Sequence, residues 1–122
     1  MSETRVLLVD DEREFVDTLA ERITIRSLCA SIAYSGEQAL DMIDSDIPHV
    51  MVLDLKMPGM GGAEVLTRVK ASHPEISVII LTGHGDLKDQ AMVEGLGASG
   101  YFQKPVDIEL LVKMINNLSC SH

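Results

Sequence analysis

Val50-Met51-Val52-Leu53-Asp54-Leu55-Lys56-Met57-Pro58-Gly59 opens with an apolar run too short for a lone helix and right for a strand buried on both faces, and that run ends in a carboxylate. Val50 to Leu53 would form the interior of a parallel strand. Asp54 would then stand at its carboxyl end, where open α/β sheets bind their ligands. Pro58 and Gly59 stop the strand and turn the chain. An Asp after a strand also serves as a turn former or a helix cap, so this stretch alone leaves two readings of Asp54.

Upstream, Arg5-Val6-Leu7-Leu8-Val9 is a second apolar run, ending in Asp10-Asp11-Glu12. From Glu14, Phe15, Leu19 and Ile23 recur at i, i+4 and i+8 with Val16 and Ala20 beside them, opposite Arg13, Asp17, Glu21 and Arg22: an amphipathic helix. Ala30 to Tyr34 predicts a weaker strand, polar enough for a sheet edge. Ser35 then caps a short helix through Ile43, with Gln38 in the capping-box position. Downstream, a helix after the Pro58–Gly62 turn runs to about Ser72 with Val65, Leu66 and Val69 inward, and His73-Pro74 ends it. Ile76 to Leu81 is another continuous strand, stopped by Thr82-Gly83-His84-Gly85. A helix with a thin apolar side covers Asp86 to Glu94. Ser99 to Phe102 is a short fifth strand ended by Gln103-Lys104-Pro105. A final helix from Val106 to about Leu118 is expected to bury Leu110, Leu111, Met114, Ile115 and Leu118.

Strand and helix thus alternate five times with no repeat or linker, which implies an α/β, doubly wound five-stranded parallel sheet with five helices and right-handed crossovers. The expected strand order is 2-1-3-4-5, the flavodoxin-like arrangement, with the first and third strands flanking the switch point. At 122 residues a single domain over 1–122 is expected, able to bury roughly two-thirds of its unfolded surface without disulfides or structural metal. A composition of 46% hydrophobic but only 3% aromatic residues points to a core of Val, Leu, Ile, Ala and Met, with the seven methionines as core filling. A net charge of −9 argues against direct binding of nucleic acid or an anionic membrane and permits cation binding. Cys29 and Cys120 form no CxxC pattern and are expected to be free thiols in a reducing, cytoplasmic compartment. No apolar run reaches membrane-spanning length. His49, His73 and His122 have no partner pattern and are expected at the surface.

Asp10 and Asp11, Asp54, Thr82, and Lys104 with Pro105 all fall at carboxyl ends of strands and would face one crevice. Two carboxylates about 4 Å apart repel by roughly 4 kcal/mol at an effective dielectric of 20, so three clustered there need a cation or a proton. Mg²⁺ suits such an oxygen-rich site, because it takes few protein ligands and keeps room for substrate oxygens. A carboxylate beside a metal, a lysine and a hydroxyl is an arrangement for phosphoryl transfer, in which Asp54 would form an acyl phosphate. Taken singly, Asp11 serves equally as a cap for the first helix, Thr82 as a cap for the fourth, and Lys104 as a solvated lysine beside a proline.

The pieces VLLVDDE (6–12), VLDLKMPGMGG (52–62), ILTGHG (80–85) and YFQKP (101–105), in this order and each closing a strand, resemble the receiver domain of two-component response regulators over about residues 4–118. The resemblance implies that Asp54 is the phosphoacceptor and that Asp10 and Asp11 are the acidic metal-binding pair. The Lys56 backbone carbonyl would be a further Mg²⁺ ligand. Thr82 and Lys104 would engage the phosphoryl group, Thr82 and Tyr101 would form the switch, and Pro105 would follow a cis peptide bond. It implies a donor phosphohistidine on a sensor histidine kinase or histidine phosphotransfer protein, and an output domain, downstream protein or phosphorylation-dependent homodimer as the recipient of the signal. Such a domain catalyses only its own phosphorylation and slow dephosphorylation. Gly61 departs from the Asp that many members carry in that turn, and Lys56 and His84 occupy variable positions that line access to the phosphoryl group.

Two other functions share parts of this pattern. An aspartate-nucleophile phosphatase of the haloacid dehalogenase type also begins with a strand ending in Asp, but wants a second Asp two residues on. From Asp10 that position holds Glu12, and the chain leaves no room for a cap domain. A flavodoxin-like FMN carrier would need a Ser/Thr/Gly-rich phosphate loop where Asp10-Asp11-Glu12-Arg13 stands.

Overall fold

The computed structural model describes residues 3–83 and 85–120, and of Cys120 only the backbone. Five strands and five helices alternate: β1 (Arg5–Val9), α1 (Arg13–Ile25), β2 (Cys29–Ala33), α2 (Gly36–Ser45), β3 (Val50–Leu53), α3 (Gly62–Ser72), β4 (Ser77–Thr82), α4 (Leu87–Gly95), β5 (Gly100–Gln103) and α5 (Ile108–Cys120). The strands form one parallel sheet in the order β2-β1-β3-β4-β5, as expected. Among the described residues no helix is long and apolar enough to cross a membrane.

Side-chain alternation splits each central strand between two cores. Leu7, Val9, Met51, Leu53, Val78 and Ile80 face α2, α3 and α4, where they meet Ala39, Ile43, Val65, Leu66, Val69 and Val93. Val6, Leu8, Val50, Val52, Ile79 and Leu81 face α1 and α5, against Val16, Leu19, Ile23, Leu111 and Ile115. Burying each such side chain contributes about 1.5–3 kcal/mol, and the covered faces explain why β3 is apolar throughout and why β1 and β4 are apolar in their interiors, at Val6–Val9 and Val78–Leu81. Met51 and Met57 are buried in this core, while Met92 is exposed.

Several boundaries differ from the sequence reading for identifiable reasons. β2 begins at Cys29 because that residue pairs with Arg5, while Tyr34 leaves the ladder, its N–H donating to Gln38 Oε1 at 2.8 Å. Ser35 caps α2 by accepting the Gln38 N–H, so Gln38 bonds the residue before the cap in place of the cap itself. α1 ends without a glycine: Ser27 takes up the positive φ of 70°. α5 starts at Ile108, with Asp107 Oδ1 accepting the N–H groups of Glu109 and Leu110. That start presents Val112 inward and leaves Leu110 55% exposed, against the expectation that Leu110 is buried. His49 and His73 lie at the surface but are each half-buried. His49 is half-buried at the start of β3 and accepts the Arg5 N–H at Nδ1, 2.9 Å; His73 packs at the end of α3 beside Ser72 and Asp44. Cys29 is an exposed free thiol. His84, His122 and the Cys120 thiol lie outside the described residues.

Candidate functional site

Parallel pairing in register brings the carboxyl ends of β1, β3, β4 and β5 to one edge, and ladder bonds carry that order just past the strands. The Asp10 N–H donates to Ala33 O at 3.1 Å, the Asp54 N–H to Val9 O at 2.9 Å, and the Lys104 N–H to Thr82 O at 3.0 Å. Asp10, Asp54 and Lys104 are thus placed by backbone and not by flexible loops, with Thr82 as the last residue of β4. Gly62 supports the arrangement from below: a side chain there would collide with the Asp54 carbonyl and the Leu55 backbone, so glycine lets α3 start directly under the end of β3.

Asp10 is 4% and Asp54 5% exposed. Lys104 Nζ lies 2.7 Å from Asp10 Oδ2, 2.6 Å from Glu12 Oε1 and 4.0 Å from Asp54 Oδ2. Burial pushes the Asp54 carboxyl above its ordinary range, and the neighbouring Asp10 charge pushes the same way. Lys104, the Thr82 hydroxyl and the Lys56 N–H oppose this in part. Burial raises Asp10 likewise, against hydrogen bonds from Lys104 and the Glu12 N–H. Burial acts to lower Lys104, but its bonds to Asp10 and Glu12 and the surrounding negative charge outweigh that and raise it. One ammonium therefore compensates three carboxylates incompletely.

Asp10, Glu12 and Asp54 each offer an oxygen, all within 4.8 Å of one another. An all-oxygen donor set with surplus negative charge has the chemistry of a hard divalent cation site. Asp11 is exposed and outside this cluster. The Asp10 carboxylate accepts the Glu12 N–H at 2.9 Å, and this local turn draws Glu12 back over the crevice while Asp11 faces out. Glu12 was not anticipated as a member of the site, since a run of three acids does not reveal which of them turns inward.

The isolated readings of the other residues do not hold. The N-cap of α1 is Glu12, without a side-chain cap bond. The N-cap of α4 is Asp86, in a capping box with Asp89. The Lys104 side chain is only 12% exposed.

A family model described as the response regulator receiver domain matches residues 6–116. The chain belongs to the response regulator receiver domain family. The receiver domain is 32% identical over 111 residues to the response regulator MprA of Mycobacterium avium, covering 90% of this chain and 49% of MprA. It is 34% identical over 109 residues to the transcriptional regulator NtrC of Klebsiella pneumoniae, covering 89% of this chain and 23% of NtrC. It therefore spans half or less of the length of these relatives. Its backbone superposes on the CheY-like receiver domain protein of Methanospirillum hungatei with a TM-score of 0.93 at 26% identity, covering 98% and 96% of the two chains. These matches give the haloacid dehalogenase reading no support.

In the receiver domain Tyr101 is half-buried, and its hydroxyl is enclosed with no hydrogen-bond partner among the described residues. That hydroxyl fills the space a Cβ of residue 85 would take, and the Thr82 methyl lies 2.9 Å from the same point. Tyr101 and Thr82 are thus side by side. Lys56 points elsewhere, its Nζ 3.7 Å from Asp89 Oδ2 on α4.

Proposed function

We propose that Asp54 accepts a phosphoryl group from a phosphohistidine of a sensor histidine kinase or a histidine phosphotransfer protein. The supporting observation is the buried Asp54 carboxylate at the end of β3, 4.0 Å from the Lys104 ammonium and clustered with Asp10. An Asp54 carboxylate oxygen attacks phosphorus in line, the new O–P bond forms as the histidine N–P bond breaks, and the imidazole leaves with its electron pair. Asp10, Asp11, Asp54 and the Lys56 backbone carbonyl would hold Mg²⁺, which supplies positive charge to the phosphoryl oxygens. Lys104 adds a second positive charge, and the Thr82 hydroxyl donates a hydrogen bond to the phosphorylated side chain. Drawing Thr82 inward opens space beside it for Tyr101 to move, which alters the face formed by α4, β5 and α5.

In this reading the whole chain is one receiver unit with its core over about 4–118. It turns over only its own acyl phosphate and passes its state to an output domain, a downstream protein or a second phosphorylated copy. The strongly acidic surface and the exposed free thiol Cys29 favour a cytoplasmic protein without direct nucleic-acid or membrane binding. Incubation with Mg²⁺ and acetyl phosphate is expected to add one phosphoryl group, detected by intact mass and released by hydroxylamine. The D54N protein should take up none; an undiminished yield there overturns the assignment.

A further inference from the structure

The Lys104 ammonium lies over the ring of Phe15, 4.3 Å from its centroid. Phe15 belongs to the first turn of α1 and is only partly buried, unlike Val16 and Leu19 behind it. Its ring lines the small void under Asp10 and Asp54 and also the groove of about 400 Å³ between α1 and the segment Pro105–Ile108. The ring is therefore the wall of the crevice on the α1 side, and the lysine rests on it.

An ammonium has three N–H donors and makes strong, directional bonds only where acceptors stand. At present those are Asp10 at 2.7 Å and Glu12 at 2.6 Å, with Asp54 further off at 4.0 Å. The third N–H is left for a phosphoryl group on Asp54, and aiming it there requires the ammonium to turn or shift from its present seat between Asp10 and Glu12. Attraction to the negative face of an aromatic ring has no such directional demand and is strongest where water is kept out. A phenyl face thus stays in contact with the charge through a turn or shift that bends or lengthens the carboxylate bonds. An aliphatic side chain of equal volume would fill the wall without attracting the cation.

We propose that Phe15 is a positioning residue for phosphoryl transfer, its ring face holding the Lys104 ammonium in the crevice as it turns from the Asp10 and Glu12 carboxylates toward the phosphoryl group on Asp54. This rests on the reading of Asp54 as the acceptor.

The test compares the parent chain with F15L, which keeps most of the apolar volume and removes the ring, and with F15Y, which keeps the ring. Each is labelled with acetyl phosphate and Mg²⁺ over a range of phosphodonor concentrations. F15L is expected to lose about tenfold in maximal rate, the size of effect a desolvated cation–π contact supports, with the half-saturating concentration little changed. F15Y should retain the parental rate to within about twofold, since a tyrosine face serves the same purpose. In NMR spectra the Lys104 ε-methylene protons should be shifted upfield by the ring in the parent and in F15Y, and lie at ordinary lysine positions in F15L. Should F15L fail to fold by thermal melting, F15M provides the same comparison. A folded F15L or F15M with the parental rate overturns the proposal, as does F15Y falling as far as F15L. Those results leave the Asp54 reading intact, whereas a parent that takes up no phosphoryl group overturns that reading and this proposal together.

Discussion

Burying the Asp54 carboxyl beside Asp10 costs the fold stability. Burial, reinforced by the charge of Asp10, holds its carboxyl above the ordinary value of 3.8, so the folded protein binds a proton there more tightly than the unfolded chain does. The stability this site contributes is complete below pH 3.8 and is lost as pH rises through the raised value in the fold. At neutral pH without metal the charged Asp54 therefore costs stability. D54N is expected to melt above the parent at pH 7 in chelator, with the gap narrowing as pH falls toward 4. Thermal melts followed by circular dichroism across that range check it. A D54N protein that melts below the parent at pH 7 would mean that Lys104 and Thr82 overcompensate the burial. Asp10, Asp54, Thr82 and Lys104 were legible in the sequence because each closes or follows an apolar strand. Glu12 and Phe15 were not, because the turn after β1 decides which acid and which ring reach the Lys104 ammonium.

Among the elements, α4 is the one held least by its core. Val93 is its only buried residue, while Leu87 is 84% exposed. Polar ties fix its start instead: the capping box of Asp86 and Asp89, the Lys56–Asp89 ion pair at 3.7 Å, and the bond from Gln103 Nε2 to Gly85 O at 2.8 Å. Few apolar contacts and exposed polar ties place a segment at the low end of local stability, where switching elements are found. The sequence showed this as a thin apolar side over Asp86 to Glu94. It did not show that Tyr101 stands in the space left by the missing side chain of Gly85. G85A is therefore expected to displace Tyr101 outward without phosphorylation, at a cost of about 1–3 kcal/mol as for other overpacked sites. The measurement is the NMR shift of the Tyr101 ring and of the α4 amides in unphosphorylated protein. Parental shifts in G85A would show that the loop yields and the ring does not.

For the whole molecule, the surplus negative charge at the sheet edge would couple binding of a cation there to folding. A ligand that binds only the folded state at about 100 times its Kd adds about 2.7 kcal/mol, enough to raise the melting temperature of a domain this size by several degrees. Mg²⁺ is expected to produce such a rise in the parent, and D11N to weaken Mg²⁺ binding by about tenfold. Asp11 is exposed and outside the Asp10–Glu12–Asp54 cluster, so this variant separates two sites. An unchanged affinity in D11N assigns the cation to that cluster without Asp11.

The sequence by itself determined the element order, the parallel sheet and the edge at which the polar residues collect, while the strand order rested on the family resemblance until the structure showed it. These follow from local patterns: continuous apolar runs for strands covered on both faces, helical periodicity between them, and a polar residue or proline where each run stops. Only the tertiary structure decided how those residues engage one another. Lys104 is nearer to Asp10 and Glu12 than to Asp54, Val112 and not Leu110 completes the core under α5, and His49 is drawn into the sheet end by the Arg5 N–H. Each of these is a contact between residues far apart in the chain, or a rotation set by where a helix begins. The physical reason is that hydrophobic periodicity names the face an element buries, while partners across the sheet and the geometry of each turn choose the individual side chains that meet.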